Sequence, residues 1–142
     1  MRTRVLFGIG MLALGLCCAD SVRAADAKPA DKDPLAKFSD EDLAKIDFCF
    51  ETFCKAIAAK DAKTAAALID ELPKNLAKLD LNKDADKAAF LKTFDAFIGA
   101  SVTASQRMPA GGIGQVTYSD KSGAEKTQRM QNVGGRWKLT GF

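Results

Sequence analysis

Tyr118 is the only tyrosine in the chain, and it shares a strand face with Val116. A phenol held this way can stabilise a developing oxyanion while a carboxylate, Asp95 or Asp70, removes a proton, which is the chemistry of an isomerase. The competing reading is a core-edge tyrosine with its hydroxyl in water. Phe94, Phe97 and Trp137, with Tyr118 and Met130, form a second candidate set for ligand binding, extended by Phe90 and Met108. Such a set lines a cavity for an apolar small molecule, or it is simply the close-packed core.

Asp80, Asn82, Asp84 and Asp86 stand at positions 1, 3, 5 and 7 of a calcium loop. Position 6, however, is Ala85 where the turn needs glycine, and position 12 is Leu91 where a bidentate glutamate belongs. The sequence therefore favours aspartate and asparagine as caps of a following helix, and predicts no metal and no cofactor. Histidine is absent, which excludes Ser-His-Asp and Cys-His nucleophilic systems and histidine-based zinc or haem sites. Gly111, Gly112 and Gly114 lack the spacing of a phosphate loop and precede a strand. Cys49 and Cys54 lie five residues apart on one helix, where Cα atoms are about 8.7 Å apart, beyond the roughly 7 Å limit of a disulfide. Buried thiols are the expectation, with an intermolecular bridge as the alternative.

These side chains need elements to hold them. Ser39 and Asp42 form a capping-box pattern, and Phe38 and Leu43 a hydrophobic staple. Leu43, Ile46, Phe50, Phe53 and Ile57 then recur at spacings of 3, 4, 3 and 4, predicting one helix to about Ala59 with Glu51, Thr52 and Lys55 facing away. Phe48 falls on the polar side and calls for cover by another element, with a partner site as the alternative. Asp61 predicts the cap of a second helix, Ala62 to Leu72, stopped by Pro73, and a third runs from about Asp84 to Ile98 with Gly99 as its stop. From Ala100 the period changes to two. A strand through Val102 and Ala104, a second over Ile113–Ser119, a third over Glu125–Val133 and a fourth over Arg136–Thr140 are separated by turns rich in glycine. The fold class is α+β: about three helices packed on an antiparallel meander of about four strands.

Ahead of this domain, Arg2 and Arg4 precede an apolar run, Val5 to Leu16, and Val22-Arg23-Ala24 places small residues at −3 and −1 of a cleavage site. Residues 1–24 read as a Sec signal peptide, 25–37 as a flexible tether, and 38–142 as one domain, exported to the periplasm or the exterior. Leu16 before Cys17, and Cys17 before Cys18, are not the small residues of a lipobox, so soluble export is favoured over a lipid anchor. The apolar run is too short to span a membrane. The pI of about 8.7 owes much to the leader: beyond Ala24 there are 18 basic against 17 acidic residues, and no basic face for nucleic acid.

The run Phe53 to Ala62 (FCKAIAAKDA) and the ending Gly135-Arg136-Trp137-Lys138-Leu139 resemble the early helix-turn and the closing strand of the nuclear-transport-factor-like, or SnoaL-like, superfamily. The resemblance covers less than a third of the chain beyond Ala24. It implies a cone-like, cystatin-like architecture around a cavity and a range of roles: isomerase, cyclase, dimeric carrier. The superfamily's histidine is missing here, and no Asp and Tyr pair aligns with its catalytic residues. The leading expectation is a non-catalytic binding or accessory module for an apolar small molecule or a homodimer partner. An isomerase around Tyr118 and an envelope-associated structural protein are the alternatives.

Overall fold

The computed structural model describes residues 32–142. The segment expected to be a signal peptide, with its expected cleavage site, and Cys17 and Cys18 lie outside the described residues. Helices α1 (Asp40–Leu43), α2 (Ile46–Ala58), α3 (Ala62–Ala67) and α4 (Asp84–Thr93) precede strands β1 (Ser101–Arg107), β2 (Ile113–Ser119), β3 (Glu125–Val133) and β4 (Arg136–Leu139), with a 3-10 turn at Asp95–Phe97. The strands form one antiparallel sheet in the order β1-β2-β3-β4. The α+β class and the meander agree with the sequence pattern.

One face of the sheet carries the core. The register pairs Gly114 with Met130 and Val116 with Gln128, and β4 adds Trp137 and Leu139, so these side chains share the face that α2 covers. Phe50 of α2 lies 4.9 Å from the Tyr118 ring and 6.0 Å from that of Phe97; Phe53 meets Phe94 and Phe97 edge to face at 5.6 and 5.3 Å. Offset and edge-on ring contacts of this kind each add about 0.5–1.5 kcal/mol beyond the area they bury. Gln128 is the one polar inward residue buried on β3, and its amide is satisfied by the Arg129 and Thr140 carbonyls. The opposite face, with Gln115, Thr117, Thr127, Arg129, Gln131 and Lys138, is polar.

The helices are shorter than their periodicity predicts. The first breaks at Ala44 and Lys45, although neither is a helix breaker, because tertiary donors take the carbonyls that end α1. Cys49 donates its thiol to Leu43 O, and Trp137 Nε1 and an Arg107 guanidinium nitrogen both donate to Ala44 O. Ser39 does cap α1, accepting from the Asp42 amide, while its hydroxyl donates to the Asp42 carboxylate. Thr52 is buried, not outward as predicted, because α2 also packs against α3. Phe48 is half-buried and covered by Phe38, ring to ring at 5.6 Å.

Asp61 caps α3 through the Thr64 amide, but α3 stops at Ala67 instead of Leu72. There the chain turns into a parallel bridge between Ile69 and Leu139. The third helix likewise ends at Thr93 and tightens into the 3-10 turn, while Phe90, Phe94 and Phe97 stay buried along one line. Asp and Asn do not cap it: its N-cap is Lys83, without a side-chain bond, while Asp86 accepts from the Asp80 amide and Asp80 from the Asn82 amide. Residues 32–37, the end of the expected tether, are mostly exposed but anchored at two points. Leu35 is buried in the core, and Asp33 forms an ion pair with Arg136 at 3.1 Å.

The β2–β3 turn is organised by Asp120, which accepts from the Ser122 and Ala124 amides and pairs with Lys126 at 2.8 Å. The hydrogen bond from Lys126, then those from Ser122, hold its carboxyl far below the usual carboxylate range. A depressed carboxyl stabilises the fold fully above its unfolded pKa of about 3.9 and loses that contribution as pH falls toward its folded value. Asp120→Asn is therefore expected to lower the urea midpoint at pH 6. The gap from wild type should narrow steadily from pH 4 to pH 2; a gap constant over that range contradicts this account.

Candidate functional site

The aromatic residues singled out in the sequence are placed together, but inside the core. Phe94, Phe97 and Tyr118 form a continuous ring cluster in which Tyr118 stacks on Phe97 at 5.5 Å, and Phe142 closes over Phe94 at 5.1 Å. Met130 is fully buried. Trp137 belongs to a different corner, bonded to Ala44 O, with the Arg107 guanidinium over its ring at 5.6 Å. Burial raises the Tyr118 pKa, opposed in part by Lys126. The ionisable groups that bear on it are Lys126, Cys54 and Asp120, with neither Asp70 nor Asp95 among them.

Both cysteines are free and buried. Burial pushes the thiols up to about 11 for Cys49 and about 12 for Cys54, so at neutral pH each is a protonated, weakly nucleophilic group. Among the described residues no cluster of three or more Cys, Asp or Glu side chains is arranged to hold a metal ion. No described helix is long and apolar enough to cross a membrane.

Open space lies instead on the outward side of α2. A cavity of about 300 Å³ is bounded by Glu51, Cys54, Lys55 and Ala58 of α2 and by Gly99, Ala100, Ser101 and Val102. A second, of about 320 Å³, is bounded by Ile57, Ala58, Lys60, Ala88, Leu91, Lys92, Asp95 and Ile98. Ala58 belongs to both, and Ile98 and Gly99 are consecutive, so the two are neighbouring reaches of one trough. None of Phe94, Phe97, Tyr118, Met130 and Trp137 lines either of them.

The local chemistry of the trough follows from how α2 ends. The Lys60 amide bonds Ile57 O and the Asp61 amide bonds Ala56 O, the paired bonds of a Schellman cap. That cap needs a left-handed residue, and the chain supplies Lys60 at φ 60°, the only described non-glycine residue with positive φ. A lysine there costs about 1–2 kcal/mol that glycine avoids. It also sets an ammonium at the rim, joined by Lys92, while the floor of Ile57, Ala58, Leu91 and Ile98 is apolar. Lys55 is already paired with Glu51 at 3.5 Å. The sequence offered one unread signal for this site: a Lys-Asp pair where a helix end would ordinarily place glycine.

Compared with protein-family models, with curated proteins and with solved structures, the chain has no match in any of the three.

Proposed function

We propose that this chain is a small non-catalytic binding domain, and that the trough along α2 is the seat for an elongated apolar molecule carrying one anionic end. The observation that carries the reading is the pairing of an apolar floor with Lys60 and Lys92 at its rim. In that reach two cations face one carboxylate, Asp95, while in the other Glu51 is paired with Lys55, a balance that favours an acid over a neutral or cationic ligand. Burying an alkyl chain there is worth about 0.8 kcal/mol per methylene. A resemblance to the SnoaL-like superfamily and a cone-like, cystatin-like arrangement are part of the proposal, supported by helices that lie across one face of a four-stranded meander. Export by the Sec route is part of it too, resting on the sequence of residues 1–24.

A fluorescent long-chain polyenoic fatty acid tests the reading, with decanol as the control that lacks the charge. Saturable one-to-one binding is expected. Ala58→Trp, which fills both reaches from an exposed position, should abolish it. Lys60→Gly should act with opposite signs, weakening binding of the acid about tenfold, or 1.4 kcal/mol, while stabilising the fold by about 0.5–1 kcal/mol. Binding unaffected by Ala58→Trp would place the ligand elsewhere and overturn the assignment.

A further inference from the structure

The trough has a direction, set by the register of its two walls. In the first reach one wall is α2 and the other is the chain from Gly99 into β1. Ala58 and the Ile98–Gly99 step mark the join with the second reach. The far end is fixed by a separate observation: Val102 pairs with Tyr118 across the sheet, and the Tyr118 ring lies 4.9 Å from that of Phe50, which precedes Glu51. Val102 therefore stands level with Glu51, and the walls run antiparallel. From Ala58 back to Glu51 the helix advances about 10 Å, and from Gly99 to Val102 an extended chain also advances about 10 Å. The two sides keep step over the whole reach. The wall then ends for a backbone reason. A bulge follows Val102, and the exposed Thr103 turns its hydroxyl to Thr117 O at 3.2 Å instead of prolonging the slot. Charge differs between the ends as well: Lys60 and Lys92 with Asp95 lie beyond the join, whereas the far end holds the Glu51 carboxylate, 3.5 Å from Lys55.

We propose that the trough selects its acid by tail length, with Val102 as the residue that sets the limit. The carboxylate sits at Lys60 and Lys92, the tail crosses the join beside Ala58 and Ile98, then runs back along α2 until Val102 and Glu51 end the slot. This rests on the binding assignment made above and narrows it from an elongated acid to a saturated acid of medium chain. Lys60 to Glu51 spans about 14 Å along α2 and its cap, and a saturated chain advances about 1.3 Å per carbon by its bond lengths and angles, so about ten to twelve carbons fill the path. A shorter tail leaves the apolar surface of Val102 uncovered. A longer one leaves the slot at the bulge and returns to water, where further methylenes gain nothing. The reverse orientation is disfavoured at both ends: it sets the carboxylate against the like charge of Glu51, whose partner Lys55 is already engaged, and lays the tail across two ammonium groups.

Isothermal titration calorimetry with saturated acids of about six to sixteen carbons, each below its micelle concentration, tests the limit. Affinity should rise about fourfold per methylene and then level off at about ten to twelve carbons. Val102→Phe should move that break to a shorter tail and Val102→Ala to a longer one, an opposed pair that a general loss of folding does not produce. Lys92→Gln should weaken every acid by one common factor and leave the break where it is. Affinity that climbs evenly to the longest acid, or a break that neither Val102 variant moves, overturns the length limit and leaves the trough assignment standing. Failure of every acid to bind overturns both.

Discussion

Trp137→Ala is expected to cost about 3–5 kcal/mol, the range for deleting a large buried aromatic side chain, and to lower the thermal midpoint by more than about 10 °C. The size follows from what the indole holds together. It is 4% exposed, its N–H donates to Ala44 O at 3.1 Å, and the Arg107 guanidinium both covers its ring and donates to the same carbonyl at 2.9 Å. Alanine empties the space between β4 and the α1–α2 corner, and removes the face on which Arg107 rests. Trp137→Phe separates the contributions. The ring volume is mostly kept and Ala44 O retains Arg107 as a donor, so the loss should fall to about 1–2 kcal/mol, near the value of one hydrogen bond plus a small packing defect. Urea unfolding followed by far-ultraviolet circular dichroism measures all three proteins, since Trp137 is the only tryptophan and its emission is lost in both variants. Equal losses for Phe and Ala would mean that the N–H, not the packing, sets the corner.

That corner also marks how far the sequence was legible. The meander was readable almost to the residue, because strand alternation and the turns at Asp120–Gly123 and Gly134–Gly135 are local signals. The helix ends were not, because what ends them is distant in sequence. Ala44 O is captured from Arg107 and Trp137, and Leu68 O from Leu139, and nothing near Ala44 or Leu68 announces it. The burial of Leu35 was hidden for the same reason: a lone leucine in a stretch of Ala, Lys, Asp and Pro looks solvated until its pocket exists. Of the candidate site, the aromatic periodicity identified the right residues for a cluster, but alternation and period alone do not distinguish a core from a cavity lining. The trough was invisible because its parts come from elements distant in sequence, namely α2 and its cap, α4, the segment after it and the start of β1, which no local pattern brings together.

Gly114→Ala is the second large effect, and it turns on a side chain that is absent. In the sequence Gly114 falls in the strand expected over Ile113–Ser119 with nothing to mark it as buried; in the fold it is a buried strand residue opposite Arg107 and Met130. A methyl group there would run into Ile46 Cδ1, come within 2.9 Å of Trp137 Cζ3 and lie 3.1 Å from Gln106 O. Ile46 can yield, since the clash is with the far end of a flexible side chain. The indole has less freedom, being hydrogen-bonded at one edge and covered by Arg107, and the Gln106 carbonyl is part of the strand. One added methyl should therefore cost about 1–3 kcal/mol, the range for overpacking, and Gly114→Val more. Strand propensity argues for the opposite sign, since glycine is the weaker strand former by up to about 1 kcal/mol. The two accounts are separated by a double-mutant cycle with Ile46→Val, which removes the methyl that meets the new Cβ. Ile46→Val alone should destabilise by about 0.5–1.5 kcal/mol, yet in the Gly114→Ala background its cost should shrink or reverse. Strictly additive losses would show that the strain is carried by Trp137 and the backbone alone, and a stabilised Gly114→Ala would show that α2 stands farther from the sheet than this packing requires.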